Sequence, residues 1–120
     1  MTQLILAPLL AEGETYAGII GNNQGEAYHL ILLPDDNDDA SWKNQLAWAK
    51  SIGGDLPDKT ELAMLWNTCR DQFQKDLYWS NQPWELGGAC AWCQYFLSGG
   101  QSYGRKINEL RARAVRRLPI

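Results

Sequence analysis

The segment GGACAWCQYFLSGGQ, residues 87–101, sets two thiols three residues apart, Cys90 and Cys93. That is the spacing of a redox dithiol or of half a zinc site. A working dithiol sits where a strand gives way to a helix, because the helix N-terminus stabilises the thiolate and lowers the thiol pKa. Here Cys93 is followed by the strand-like run QYFL and the turn SGGQ, so no helix is predicted to activate a nucleophile. Side chains three apart on an extended strand leave opposite faces, and the two thiols would not converge on one atom. Zinc would have to recruit Cys69 and His29 as well, with no second short-spaced pair. We read all three cysteines as structural and expect no cofactor. The alternative is a small metal- or thiol-dependent protein centred on Cys90, Cys93 and His29.

Other chemistry is present only in fragments. Asp35, Asn37 and Asp39 alternate as in a calcium-binding EF-hand loop. Ala40, however, stands where the sharp turn needs glycine, and Leu46 where the bidentate glutamate belongs. Residues 35–39 therefore read as a solvated acidic loop, with weak divalent binding left open. There is one histidine, and no G-x-S-x-G elbow, phosphate-cradling glycine motif or H-E-x-x-H. No catalytic residue is predicted; carboxylates paired only by the fold are invisible in sequence.

The elements that would position these groups are readable. TYAGIIGNNQGEAYHLILL, residues 15–33, is two β-rich runs around a glycine- and asparagine-rich turn, a hairpin. In the second run Tyr28, Leu30 and Leu32 share one face and His29, Ile31 and Leu33 the other, so that strand should be central and His29 a hydrogen-bonded structural residue. Ser41 is placed to cap a helix over about 41–53 that buries Trp42, Leu46, Ala49 and Ile52. Asp58 and Glu61 form a capping-box pattern at the start of a helix over about 58–73, whose stripe is Leu62, Leu65, Trp66, Cys69 and Phe73. Short strands and tight turns fill about 77–118. Grouped helices between sets of strands make an α+β class, and without repeat or linker the chain reads as a single domain, 1–120.

The chain has 120 residues, 45% hydrophobic, with six Trp and five Tyr, enough for a core without disulfides. Its net charge of −3 is unevenly placed: Arg105, Lys106, Arg111, Arg113, Arg116 and Arg117 stand against Glu109 alone in residues 105–117. An acidic body disfavours a phosphate backbone, so the basic strip is expected to fold back onto the body's carboxylates, with nucleic acid the third-ranked partner. In the last strand, Arg111, Arg113, Val115 and Arg117 should share one face, with Ala112 and Ala114 on the other. Arg111 and Arg113 are expected to pair with carboxylates. The odd cysteine count and the absence of a basic segment before LILAPLL suggest a reduced, cytoplasmic protein, and no run is long enough to cross a membrane. The apolar start, Leu4 to Leu10, should be covered by the fold or by another copy of the chain, a route to a homo-oligomer.

Three stretches taken in order carry a family resemblance: WKNQLAWAKSIGGDLPDKTELAMLW from residue 42, LYWSNQPW from 77, and AWCQYFLSGGQSYGRKINELRARAVRRL from 91. Together they resemble the Lcl C-terminal-like domain, a family of unknown function frequent in phages and prophages. The resemblance covers residues 42–118 and implies a C-type-lectin-like fold, two helices flanking a small, mainly antiparallel sheet, with binding carried by a long irregular loop region. Family members tend to carry an aromatic and an acidic residue where this chain has Cys93 and Tyr95. Calcium-dependent sugar binders of the wider fold use a Glu-Pro-Asn or Gln-Pro-Asp loop, whereas Trp84 follows Pro83 here, so the calcium-bridged mode is not expected. The implied function is a non-enzymatic binding module of phage or prophage origin, engaging a host protein or glycan from the host cytoplasm or as a virion piece. Trp79, Trp84 and Tyr103 are its candidate aromatic contacts, with Asn81, Gln82 and Glu85 giving polar orientation.

Overall fold

Alternation along the strands sends the core residues to two faces of one sheet, and a helix covers each. The computed structural model describes residues 7–120. The chain runs β1 (Thr15–Gly21), β2 (Ala27–Ala40), α1 (Trp42–Ser51), α2 (Lys59–Cys69), a single 3-10 turn (Arg70–Gln72), β3 (Leu77–Pro83), β4 (Cys90–Tyr95), β5 (Gln101–Arg105) and β6 (Leu110–Pro119). The six strands lie in the order β1-β2-β6-β3-β4-β5. Neighbours are antiparallel except β3 and β6, which are parallel where Tyr78 pairs with Arg111. The α+β class and the two flanking helices stand as expected, but the sheet is not small.

On one face, Leu30, Leu32, Tyr78 and Val115 pack against Leu62, Leu65 and Cys69 of α2. On the other, Leu33, Trp79, Ala91, Cys93, Ala112 and Ala114 pack against Ala49 of α1, flanked by Trp42, Leu46 and Ile52. The alternation read from β2 and β6 therefore holds. Its small residues let the covering chain approach: a Cβ on Gly54 would sit 2.7 Å from Leu33 Cδ1 and 2.8 Å from the Val115 carbonyl. There the Asp55 and Val115 amides and carbonyls bond to each other at 2.9 and 2.8 Å.

Local chemistry closes the elements. Asn22 Oδ1 accepts from the Gln24 and Glu26 amides in the β1–β2 turn, where Gly25 takes φ +82. Ser41 Oγ accepts from the Asn44 amide, and Asp58 with Glu61 makes the reciprocal capping box. His29 is buried and hydrogen-bonded as expected, its Nδ1 2.7 Å from the Tyr16 hydroxyl.

Two boundaries differ from expectation. α2 ends at Cys69 rather than Phe73, because the 3-10 turn tightens its last residues. Residues 35–39 are not a solvated loop: β2 continues through them to Ala40, with pairing irregularities on either side of Asp36 and Asn37. Polar partners make that continuation possible. Asp36 accepts from Arg111 and from the Tyr78 hydroxyl, and Asn37 Nδ2 donates to the buried Gln45 at 2.8 Å. The Gln45 amide in turn donates to the Asp38 and Leu110 carbonyls at 2.8 and 2.9 Å.

Candidate functional site

β3 hands over to a short loop, residues 84–89, closed by the Trp84 amide on the Cys90 carbonyl (2.9 Å) and the Cys90 amide on the Gly87 carbonyl (3.1 Å). The loop lays Trp84 on Tyr103 of β5, ring centroids 3.9 Å apart and 8° from parallel. Trp92 of β4, register partner of Tyr103, meets it edge-on at 6.2 Å and 87°. Glu85 accepts from Trp92 Nε1 at 2.8 Å, and Lys59 Nζ lies 3.6 Å from the Trp92 ring centroid. The Trp92 hydrogen bond holds the Glu85 carboxyl below its ordinary pKa, so it is ionised at neutral pH. Leu86, at the loop tip, is 79% exposed.

Glutamines from three strands fix Lys59 in place. Its amide donates to Gln82 Oε1 at 2.8 Å and its carbonyl accepts from Gln101 Nε2 at 2.7 Å. Gln101 also donates to Gln94 Oε1, and Gln94 Nε2 donates to the Leu62 carbonyl. The first turn of α2 is thereby bolted to β3, β4 and β5. A rigid aromatic cluster carrying one cation and one anion suits contact with a partner, since little side-chain freedom remains to be lost on binding.

Of the six residues named from sequence, Trp84, Glu85 and Tyr103 come together here. Trp79 does not: it is fully buried on the α1 face, its Nε1 donating to the Ala40 carbonyl at 3.1 Å. Asn81 and Gln82 belong to β3, not to an irregular loop. Asn81 Nδ2 holds Asp55 at 3.1 Å and Gln82 holds Lys59, so both position neighbours. Trp92, Lys59 and Leu86 were missed. The turn SGGQ held the signal for Trp92, because closing β4 on β5 there sets Gln94 against Gln101 and therefore Trp92 against Tyr103.

The thiols stand apart, as the strand reading required. Cys93 is buried beside Trp79 and Ala91, and burial pushes its thiol up to about 11; Cys90 is half-buried on the opposite face, and Cys69 is in the α2 core. Among the described residues, no three or more His, Cys, Asp or Glu side chains are grouped to hold a metal ion. Titration of the native protein with a thiol reagent is expected to modify Cys90 first, with Cys93 and Cys69 reacting only as the chain unfolds. Cys90→Ser should shift stability by less than about 0.5 kcal/mol. Cys93→Ser, which buries a hydroxyl, should lower it by about 1–3 kcal/mol. Partner binding should survive both changes; its loss at unchanged stability would give the pair a functional role.

Half of the basic strip folds back onto carboxylates, while Arg105 and Lys106 make no ion pair among the described residues. Arg111 donates to Asp36 at 2.8 and 3.0 Å and lies 3.3 Å from Asp38; Arg116 forks to Glu14; Arg117 reaches Glu61 and Asp55. Arg113 departs from expectation. It is buried, donating to the Gln72 and Leu33 carbonyls at 2.6 and 2.5 Å over the Phe73 ring, with no carboxylate in ion-pair reach among the described residues. The 3-10 turn offers the Gln72 carbonyl and β2 the Leu33 carbonyl where an acid was expected, and burial lowers the guanidinium's pKa.

Leu9 and Leu10 are exposed, so the fold does not cover that part of the apolar start; Leu4 to Leu6 lie outside the described residues. No described helix is long and apolar enough to cross a membrane. Comparison of the chain with protein-family models and with curated protein sequences finds no match.

Proposed function

We propose that the chain is a non-enzymatic binding module that engages a host protein through the surface of Trp84, Tyr103, Trp92 and Leu86, with Lys59 and Glu85 orienting the partner. Its origin in a phage or prophage, its kinship with Lcl C-terminal-like domains and their lectin-like fold, and its action in the host cytoplasm or on a virion belong to the same proposal. The observation that carries it is the exposed Leu86 beside a stacked aromatic pair. An apolar tip rimmed by held charges resembles the centre of a protein interface. A protein is favoured over a glycan because Trp84 and Tyr103 spend a ring face on each other, which leaves less open platform for a sugar.

The test compares native protein with a Leu86→Asp/Tyr103→Ala variant in capture from host lysate and on a glycan array. A host protein retained by the native chain should bind the variant about 30-fold more weakly or worse, while the variant's melting temperature stays close to native. Equal capture by both would overturn the proposed surface. Array binding without protein capture would replace the protein partner with a glycan.

A further inference from the structure

A second surface lies on the α1 side of the sheet. Ser41, Trp42, Lys43, Leu46, Lys106 and Ile107 line a cleft of about 450 Å3 whose floor is apolar. Ile107 is 72% exposed there. Two cations flank the floor. Lys106 Nζ lies 4.7 Å from the Trp42 ring centroid and donates to the Gly88 carbonyl, while Lys43 makes no ion pair among the described residues. The fitting occupant is an apolar segment followed by an acid.

The chain carries such a segment. Leu9, 96% exposed, and Leu10 are followed by the exposed Glu12, and this stretch is not a loose tail. The Ala11 amide donates to Glu14 Oε1 at 2.7 Å, and the Glu14 amide to the Ala11 carbonyl at 3.1 Å. Arg116 forks to Glu14 at 2.8 and 2.9 Å and touches the Leu9 carbonyl at 3.5 Å. Gly13, at φ +80, lets the turn settle on Pro34. A backbone fastened by an ion pair while its two leucines point into solvent is a presented contact.

It does not reach the cleft of its own chain. Arg116 lies six residues along β6 from Leu110, a strand distance of about 20 Å, and the cleft lies beyond Leu110. Arg116 alternates with Ala112 and Ala114 onto the α1 face, so arm and cleft open on the same side of the sheet. A two-fold axis across that face would therefore fill both clefts at once.

We propose that the turn at residues 9–14 is an arm that seats Leu9 and Leu10 on Trp42, Leu46 and Ile107 of a second copy, with Glu12 against Lys43. Light scattering on the eluting native protein at high micromolar concentration should give twice the chain mass. Leu9→Asp/Leu10→Asp and, separately, Ile107→Asp should each give the single-chain mass with an unchanged circular-dichroism spectrum. Lys43→Glu should weaken association about tenfold, and combining it with Glu12→Lys should restore it, which a nonspecific apolar contact would not do. A native protein of single-chain mass, or an assembly indifferent to these substitutions, would overturn the proposal.

Discussion

Replacing Arg117 with alanine is expected to lower stability at neutral pH by about 3–5 kcal/mol, the effect of leaving a buried charge without its partner. Glu61 is 0% exposed. It accepts from Arg117 Nε at 2.6 Å and Nη2 at 2.8 Å, from the Tyr28 hydroxyl at 2.6 Å and from the Asp58 amide at 2.8 Å. Burial alone would raise its pKa; the Arg117, Tyr28 and Asp58 bonds outweigh burial and hold it below the ordinary glutamate value. Burial, reinforced by the same carboxylate, pushes the Tyr28 hydroxyl well above its usual range. Because the folded pKa of Glu61 is depressed, its contribution is present above the unfolded pKa and is lost as pH falls through the folded one. In Arg117→Ala, burial is no longer opposed by a cation, and the folded pKa should rise above the unfolded value. The variant then recovers relative to native as pH falls, because it gains by taking up a proton. Urea denaturation of both proteins at neutral and at acidic pH measures this. A gap that is small at neutral pH, or that widens in acid, would contradict the assignment.

Trp79→Ala is expected to cost about 3–5 kcal/mol, whereas Trp84→Ala should cost about 1 kcal/mol or less and weaken partner binding instead. Trp79 is the largest fully buried side chain on the α1 face, packed with Cys93, Ala91 and Leu56, with the six-membered ring 3.6 Å from where a Gly104 Cβ would stand. Truncation opens a cavity and removes the donor to the Ala40 carbonyl at the end of β2. Trp84 is half-buried and stacked on one exposed ring. Thermal melts and partner titration of the two variants separate core from contact. A stable Trp79→Ala protein that has lost binding would return Trp79 to the site.

The sequence disclosed whatever depends on neighbours along the chain. Ser41 and Asp58 with Glu61 announce the two helix starts through residues three apart, and the alternation Arg-Ala-Arg-Ala-Val in β6 fixes its faces because period 2 is a property of the strand itself. What stayed hidden depends on distant partners. Asp35 to Asp39 looked like a loop because acids favour water, yet Arg111, 75 residues from Asp36, turns that stretch into strand. Gln45 stands outside the apolar stripe of its helix, yet it is buried because the Leu110 carbonyl, 65 residues away, claims its amide. In the candidate site the aromatic members showed by type, while Lys59 was unreadable, since the glutamines that aim it come from three separate strands.

The position of β6 between β2 and β3 has a consequence during synthesis. When the ribosome has released residues up to about 109, the β1–β2 hairpin and the β3–β5 meander are both out, yet each ends in an unpaired edge, β2 in one and β3 in the other. Those edges are apolar: Leu30, Ile31 and Leu32 in the first, Tyr78 and Trp79 in the second. A nascent chain in that condition offers two templates for pairing with its neighbours on a polysome. Only when β6 emerges does β2 gain its long antiparallel partner and β3 its parallel contact at Tyr78 and Arg111. The interval before it does so is when the protein is most exposed to aggregation and has most use for a chaperone.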